Sequence, residues 1–225
     1  MKQNQSGFTL IEIAIVLVII GLLLGGVLKG QELINSAKVK NIATDFRNIP
    51  VFIYGYQDKY RALPGDDANA ASHLGVASGV VASGNGDGVL GTATDNWSTT
   101  NATDETQLFW QHVRLAGLAA GPTSGQTDYR PNNAMGGVIG IQSGSSTAPP
   151  MKDFNGVAIR GSYIICSTGI LGKFVKQLDI TMDDGNTGTG SMIALKGAYT
   201  YGATATDPST TPVDDAASYT VCMGV

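Results

Sequence analysis

The chain has 225 residues, 43% hydrophobic and only 14% charged, with 30 glycines and a formal net charge of −4. From Arg61 onward it carries 8 basic against 14 acidic residues; duplex-DNA surfaces neutralise phosphates with Lys and Arg, so no nucleic-acid partner is expected. The composition suits a loop-rich exported domain rather than a cytosolic enzyme, and neither histidine, His73 or His112, has metal-ligand spacing to a second His or Cys.

The first predicted element is a helix. A polar stretch, Met1 to Gly7, precedes an apolar run from Phe8 to Leu28 that is broken by one charge, Glu12. At ~1.5 Å per residue this run makes a helix about 32 Å long, enough to span a hydrocarbon core. An acid inside such a span is costly unless paired, so Glu12 is a candidate functional residue in need of a cation. A cleavable secretory signal would place small residues after the apolar stretch, whereas Gly7 lies before it. Gly25 and Gly26 keep that alternative open, and a plain anchor with an incidental acid is another. Lys2 precedes the span while Lys29, Lys38, Lys40 and Arg47 follow it, so basic residues alone do not orient it. Gly21 and Gly25 have the small-xxx-small spacing of close helix contacts in lipid.

Gly7-Phe8-Thr9-Leu10-Ile11-Glu12, with the apolar helix behind it, resembles the class III signal of type IV pilins and of type II secretion pseudopilins. The resemblance implies that a prepilin peptidase at the cytoplasmic face cuts between Gly7 and Phe8 and methylates the new amino terminus of Phe8. It implies also that Glu12 neutralises the terminal amine of a neighbouring subunit, each charge being costly alone in lipid and tolerable as a pair. The fold it implies is α+β and pilin-like: a long N-terminal helix packed on a C-terminal head with a small antiparallel sheet. Residues 1–7 would be a leader, 8–28 a transmembrane and filament-core helix, 29–60 its amphipathic continuation, and 61–225 the periplasmic or extracellular head. The implied role is that of a structural subunit, not an enzyme. Its partners would be identical or homologous pilin subunits, the peptidase, an inner-membrane assembly platform and membrane lipid, with separate ATPase motors. The precursor would sit in the bacterial inner membrane and the product in an extracellular pilus or a periplasmic pseudopilus. A pseudopilin or minor tip subunit, and a membrane-tethered binding protein that never polymerises, are the alternatives.

Beyond the span, Ile42, Phe46, Ile49, Ile53, Tyr56 and Tyr60 recur at helical spacing and form a stripe that needs a cover. Pro50 interrupts this stretch, and the unbroken register on both sides predicts a bend rather than a stop. Arg61 to Asp67 reads as a turn, with Asp67 capping a short helix through Leu74. Residues 75–101 read as a long surface loop. Asp104-Glu105-Thr106-Gln107 resembles a capping box and opens a helix that ends before Gly121-Pro122. Strands are predicted at Val138-Ile139, Val157 to Cys166, Ser191 to Lys196 and Tyr219 to Met223. A further helix spans Leu171 to Met182 and is halted by Asp183-Asp184-Gly185-Asn186.

Cys166 and Cys222 are the only cysteines, and a single pair in an exported domain most simply forms a disulfide, as related pilins often do. Two buried thiols are the alternative. Asn85 and Asp87 place oxygen ligands two residues apart on a glycine-rich loop, and Asp95 completes a candidate calcium set; a simple turn competes with it because no full twelve-residue loop follows. Asp183-Asp184-Gly185 offers the same choice and is read as a turn. His112 is read as structural rather than as a base, and Trp97 with the tyrosines as a candidate surface patch. No nucleophile elbow or phosphate loop occurs.

Overall fold

Val39, Ile42, Ala43, Phe46, Ile49, Ile53 and Tyr56 recur at the helical period, and every one of them is buried. They lie on helix α1, Leu10–Tyr60, in a computed structural model that describes residues 9–77, 79–145 and 148–225. The helix continues through Pro50, because the hydrogen bond lost there is outweighed by buried residues on both sides, Phe46 and Ile49 before it and Ile53 after it. It ends at Arg61, which has a positive φ of 57° and whose N–H donates to the Gln57 carbonyl at 2.9 Å.

The chain forms two compact units, Met1–Lys38 and Val39–Val225. In the first, the helix is long and apolar enough to cross a membrane, and its apolar side chains are exposed, from Leu10 at 89% to Ile34 at 58%.

The second unit is built on a four-stranded antiparallel sheet. Its strands are β1 (Ile139–Ser143), β3 (Tyr163–Leu171), β4 (Met192–Lys196) and β6 (Ser218–Gly224), in the order β1-β3-β6-β4. The strand β2 (Met151–Lys152) pairs in parallel with β5 (Ala203–Thr204), a pairing the sequence does not announce. Period-two alternation gives the main sheet two buried faces. Ile141, Ile165, Met192, Ala194 and Val221 join the α1 stripe in one core, together with Phe109 and Val113 of α3 (Glu105–Leu115) and Phe174, Val175 and Leu178 of α4 (Gly172–Met182). Ile164, Cys166, Ile193 and Cys222 face the other way, under Trp97, Met151 and Ile159.

Several expectations change. The strand predicted at Val157 to Cys166 begins later, at Tyr163, and runs on to Leu171; the residues before it turn to β2 instead, Ala158 bridging Lys152 and the Ile159 N–H donating to the Met151 carbonyl at 3.1 Å. The described residues of 75–101 form neither helix nor strand and are mostly exposed, as expected of a surface loop, but Val81, Leu90 and Trp97 are buried and tie the loop to the core. Trp97 lies over Gly140, where a side chain would collide with the indole, and it is therefore no part of a surface patch. Asp67 does not cap the short helix α2, Ala70–His73; Asn69 stands at that cap position without a side-chain bond. Nor does the capping box at Asp104 form. The Asp95 carboxylate instead accepts from the Glu105 N–H at 3.0 Å and the Thr106 hydroxyl at 3.0 Å, capping α3 from outside the helix.

Candidate functional site

Thr9 and Glu12 are three residues apart at the start of α1, the spacing that lets a hydroxyl and a carboxylate cap each other's backbone. Both the Thr9 N–H, at 2.8 Å, and the Thr9 hydroxyl, at 2.6 Å, donate to Glu12 Oε2, and the Glu12 N–H reaches Thr9 Oγ1 at 3.4 Å. All of these groups are exposed. Because both donors fall on one oxygen, Glu12 Oε1 has no donor among the described residues. The reciprocal cap thus fixes the acid's rotamer while leaving half of the carboxylate available to an incoming cation. The sequence reading singled out Glu12 but missed its tie to Thr9, although the T-x-x-E pattern was there to be read. Gly7 and Phe8 lie outside the described residues.

Residues 2–28 match the family model described as the prokaryotic N-terminal methylation motif. The chain carries the type IV pilin and pseudopilin signal. A comparison with curated proteins found no match, and neither did one with solved structures. The signal is that of a pilin-like or pseudopilin precursor, implies processing by prepilin peptidase, and points to a structural protein rather than an enzyme. With the apolar helix behind it, it fits an inner-membrane precursor.

In the head, Cys166 and Cys222 are directly paired across β3 and β6 and form a disulfide with an S–S distance of 2.01 Å. Asn85 and Asp87 stay together, the Asn85 amide donating to Asp87 Oδ2 at 3.2 Å, while Asp95 is engaged at the start of α3. The acids brought against Asp87 are Asp66 and Glu105. These carboxylates are acceptors for the loop itself. Buried Asp66 takes the N–H groups of Gly86, Asp87 and Gly88, and Glu105 takes that of Asn85. A Cβ at Gly84 would collide with the Asp66 backbone, which is why glycine is needed where the loop crosses it.

The histidines flank a second buried acid. Asp67 Oδ2 accepts from the Tyr56 hydroxyl and from His73 Nδ1, both at 2.8 Å, and Oδ1 accepts from the Asn69 N–H. Burial works against the Asp67 charge, but the bonds from His73, Tyr56 and Asn69 win and hold its pKa below the usual carboxylate value. His112 is fully buried; its Nδ1 accepts from the Gly65 N–H at 3.0 Å, so Nε2 carries the proton given to the Ala82 carbonyl at 2.9 Å. Burial lowers the His112 pKa, against the opposing pull of Ala82 and Asp67. Both ring nitrogens are occupied by backbone, which leaves His112 a structural brace with no access to a substrate.

Proposed function

We propose that the chain is the structural subunit of a type IV pilus-like filament. It is made as a single-pass inner-membrane precursor, clipped between Gly7 and Phe8, methylated on Phe8, and drawn into a polymer with apolar helices inside and heads outside. The observation that carries this reading is a coincidence of position: the methylation signal at residues 2–28 overlies a helix start where the Glu12 carboxylate is held by Thr9 with one oxygen unclaimed. A methylated ammonium on Phe8 of the next protomer is the cation that such an acid needs inside an apolar bundle. Exchange of lipid for neighbouring helices then keeps the exposed apolar side chains of α1 out of water.

Intact-mass and N-terminal analysis of protein sheared from cells tests the reading. The expected product begins at methylated Phe8, lacks residues 1–7 and is a major component of the sheared filaments. Material that still begins at Met1 would overturn the proposal, and a trace amount in filaments built of another subunit would make this a minor subunit or a pseudopilin.

A further inference from the structure

Arg114, in the last turn of α3, is buried without a counter-charge. It is 8% exposed, and its one hydrogen bond among the described residues runs from Nη1 to the Pro122 carbonyl at 3.2 Å. Its Nε is enclosed and has no acceptor, Nη2 is open and has none, and the residue enters no ion pair among the described residues. Folded proteins seldom bury an arginine that nothing pairs, because the charge loses its hydration without compensation. Trp110 stands one turn earlier on the same helix face, and its indole N–H is likewise enclosed without an acceptor. Indole and guanidinium nitrogens only donate, so what this face of α3 lacks is an acceptor and a negative charge.

Both side chains line a cavity of about 160 Å³. Helix α1 supplies Asp45, Ile49 and Phe52 to the same lining, at spacings of four and three that put them on one helix face. Asp45 is half-buried and has neither a hydrogen bond nor an ion pair among the described residues, and burial holds its pKa above the usual carboxylate value. No other titratable side chain lines the cavity. Two opposite charges therefore face one small space without neutralising each other, beside apolar surface from Ile49, Phe52 and Ile139. Gly121 lets the turn after α3 close on this spot, because its φ is 134° and a Cβ there would strike the guanidinium.

We propose that this cavity binds a small zwitterionic α-amino acid with an apolar side chain. The ligand's carboxylate meets Arg114 Nη2, its ammonium meets the Asp45 carboxylate, and its side chain covers the Ile49, Phe52 and Ile139 surface. A monoanion would leave Asp45 unpaired and repel it, and a monocation would do the same at Arg114, whereas a zwitterion satisfies both at once. The volume keeps the ligand small, since pockets for drug-sized molecules run from about 300 to 1,000 Å³. All of these residues belong to the Val39–Val225 unit, so the site needs no polymer.

The test is calorimetric titration and thermal unfolding of the full chain in detergent, with L-alanine, L-valine and L-leucine as ligands. At least one of the three is expected to give a saturable heat and an upward Tm shift. For the tightest of them, the analogue lacking the amino group and the analogue lacking the carboxylate should each bind at least about tenfold more weakly. Asp45→Asn, at a half-buried position whose change leaves the core intact, should weaken the amino acid by a similar factor and leave the analogue without an amino group unweakened. No saturable heat with any of the three, an analogue that binds as well as its parent, or an Asp45→Asn chain that responds like the unaltered one would overturn the proposal.

Discussion

Glu12 does two jobs that one substitution cannot separate: it caps α1 through Thr9 and it presents a negative charge. Glu12→Ala removes both, whereas Thr9→Ala keeps the charge and the Thr9 N–H bond and removes only the hydroxyl's share of the cap. If charge pairing drives assembly, sheared-filament yield should vanish for Glu12→Ala and fall only modestly for Thr9→Ala; equal losses would show that capping, not charge, is the requirement. His112 gives a second expectation at this scale. Its pKa in the fold lies below the ordinary 6.5, so as pH falls through 6.5 the unfolded chain takes up a proton that the folded chain refuses. Stability is therefore lost on acidification below that point, by up to about 1.4 kcal/mol per pH unit until the folded pKa is reached. Comparing Tm against pH for the unaltered chain and His112→Gln should show this component missing in the variant. Glu12 was legible in the sequence because a lone acid in an apolar run is conspicuous. The burial of Asp67 was not, since an acid in a polar segment gives no sign of being covered by residues distant in sequence.

Helices were readable where their own periodicity buries them. The α1 stripe and the apolar positions of α3 and α4 predict those elements to within a few residues, and the run through Pro50 follows from the unbroken stripe. What the sequence could not supply was the partner of each helix end. The cap of α3 is Asp95, ten residues before Glu105, and no local spacing rule finds it. Asp95→Ala should accordingly lower stability by about 1 kcal/mol, and Asp104→Ala by no more than a few tenths, measured by denaturant unfolding. At the other end of α1, Arg61 occupies the left-handed conformation that glycine adopts without strain. Arg61→Gly should thus be close to neutral in Tm despite its added chain entropy, while Arg61→Val should destabilise.

On the scale of the whole head, a sheet covered on both faces explains why strand boundaries were harder to read than helices. Ile164-Ile165-Cys166 is apolar at successive positions because each neighbour enters a different core, so the alternation that marks a half-exposed strand is missing. The Trp97 layer, drawn from a loop of weak pattern, hid for the same reason. The disulfide sits in that second core and joins the two middle strands over a separation of 56 residues. Reduction, or the double change Cys166→Ser with Cys222→Ser, should lower unfolding free energy by about 2–5 kcal/mol, read by denaturant titration. Strand order also sets a timetable. β6 is threaded between β3 and β4, both of which precede it in the chain, so a ribosome delivers the flanks before the centrepiece. Until residues 218–224 emerge, β3 and β4 must wait with naked edges, and Cys166 must remain a thiol. Completion of the main sheet is therefore late, and a nascent chain stalled short of that strand is the form most exposed to sticking and to proteolysis.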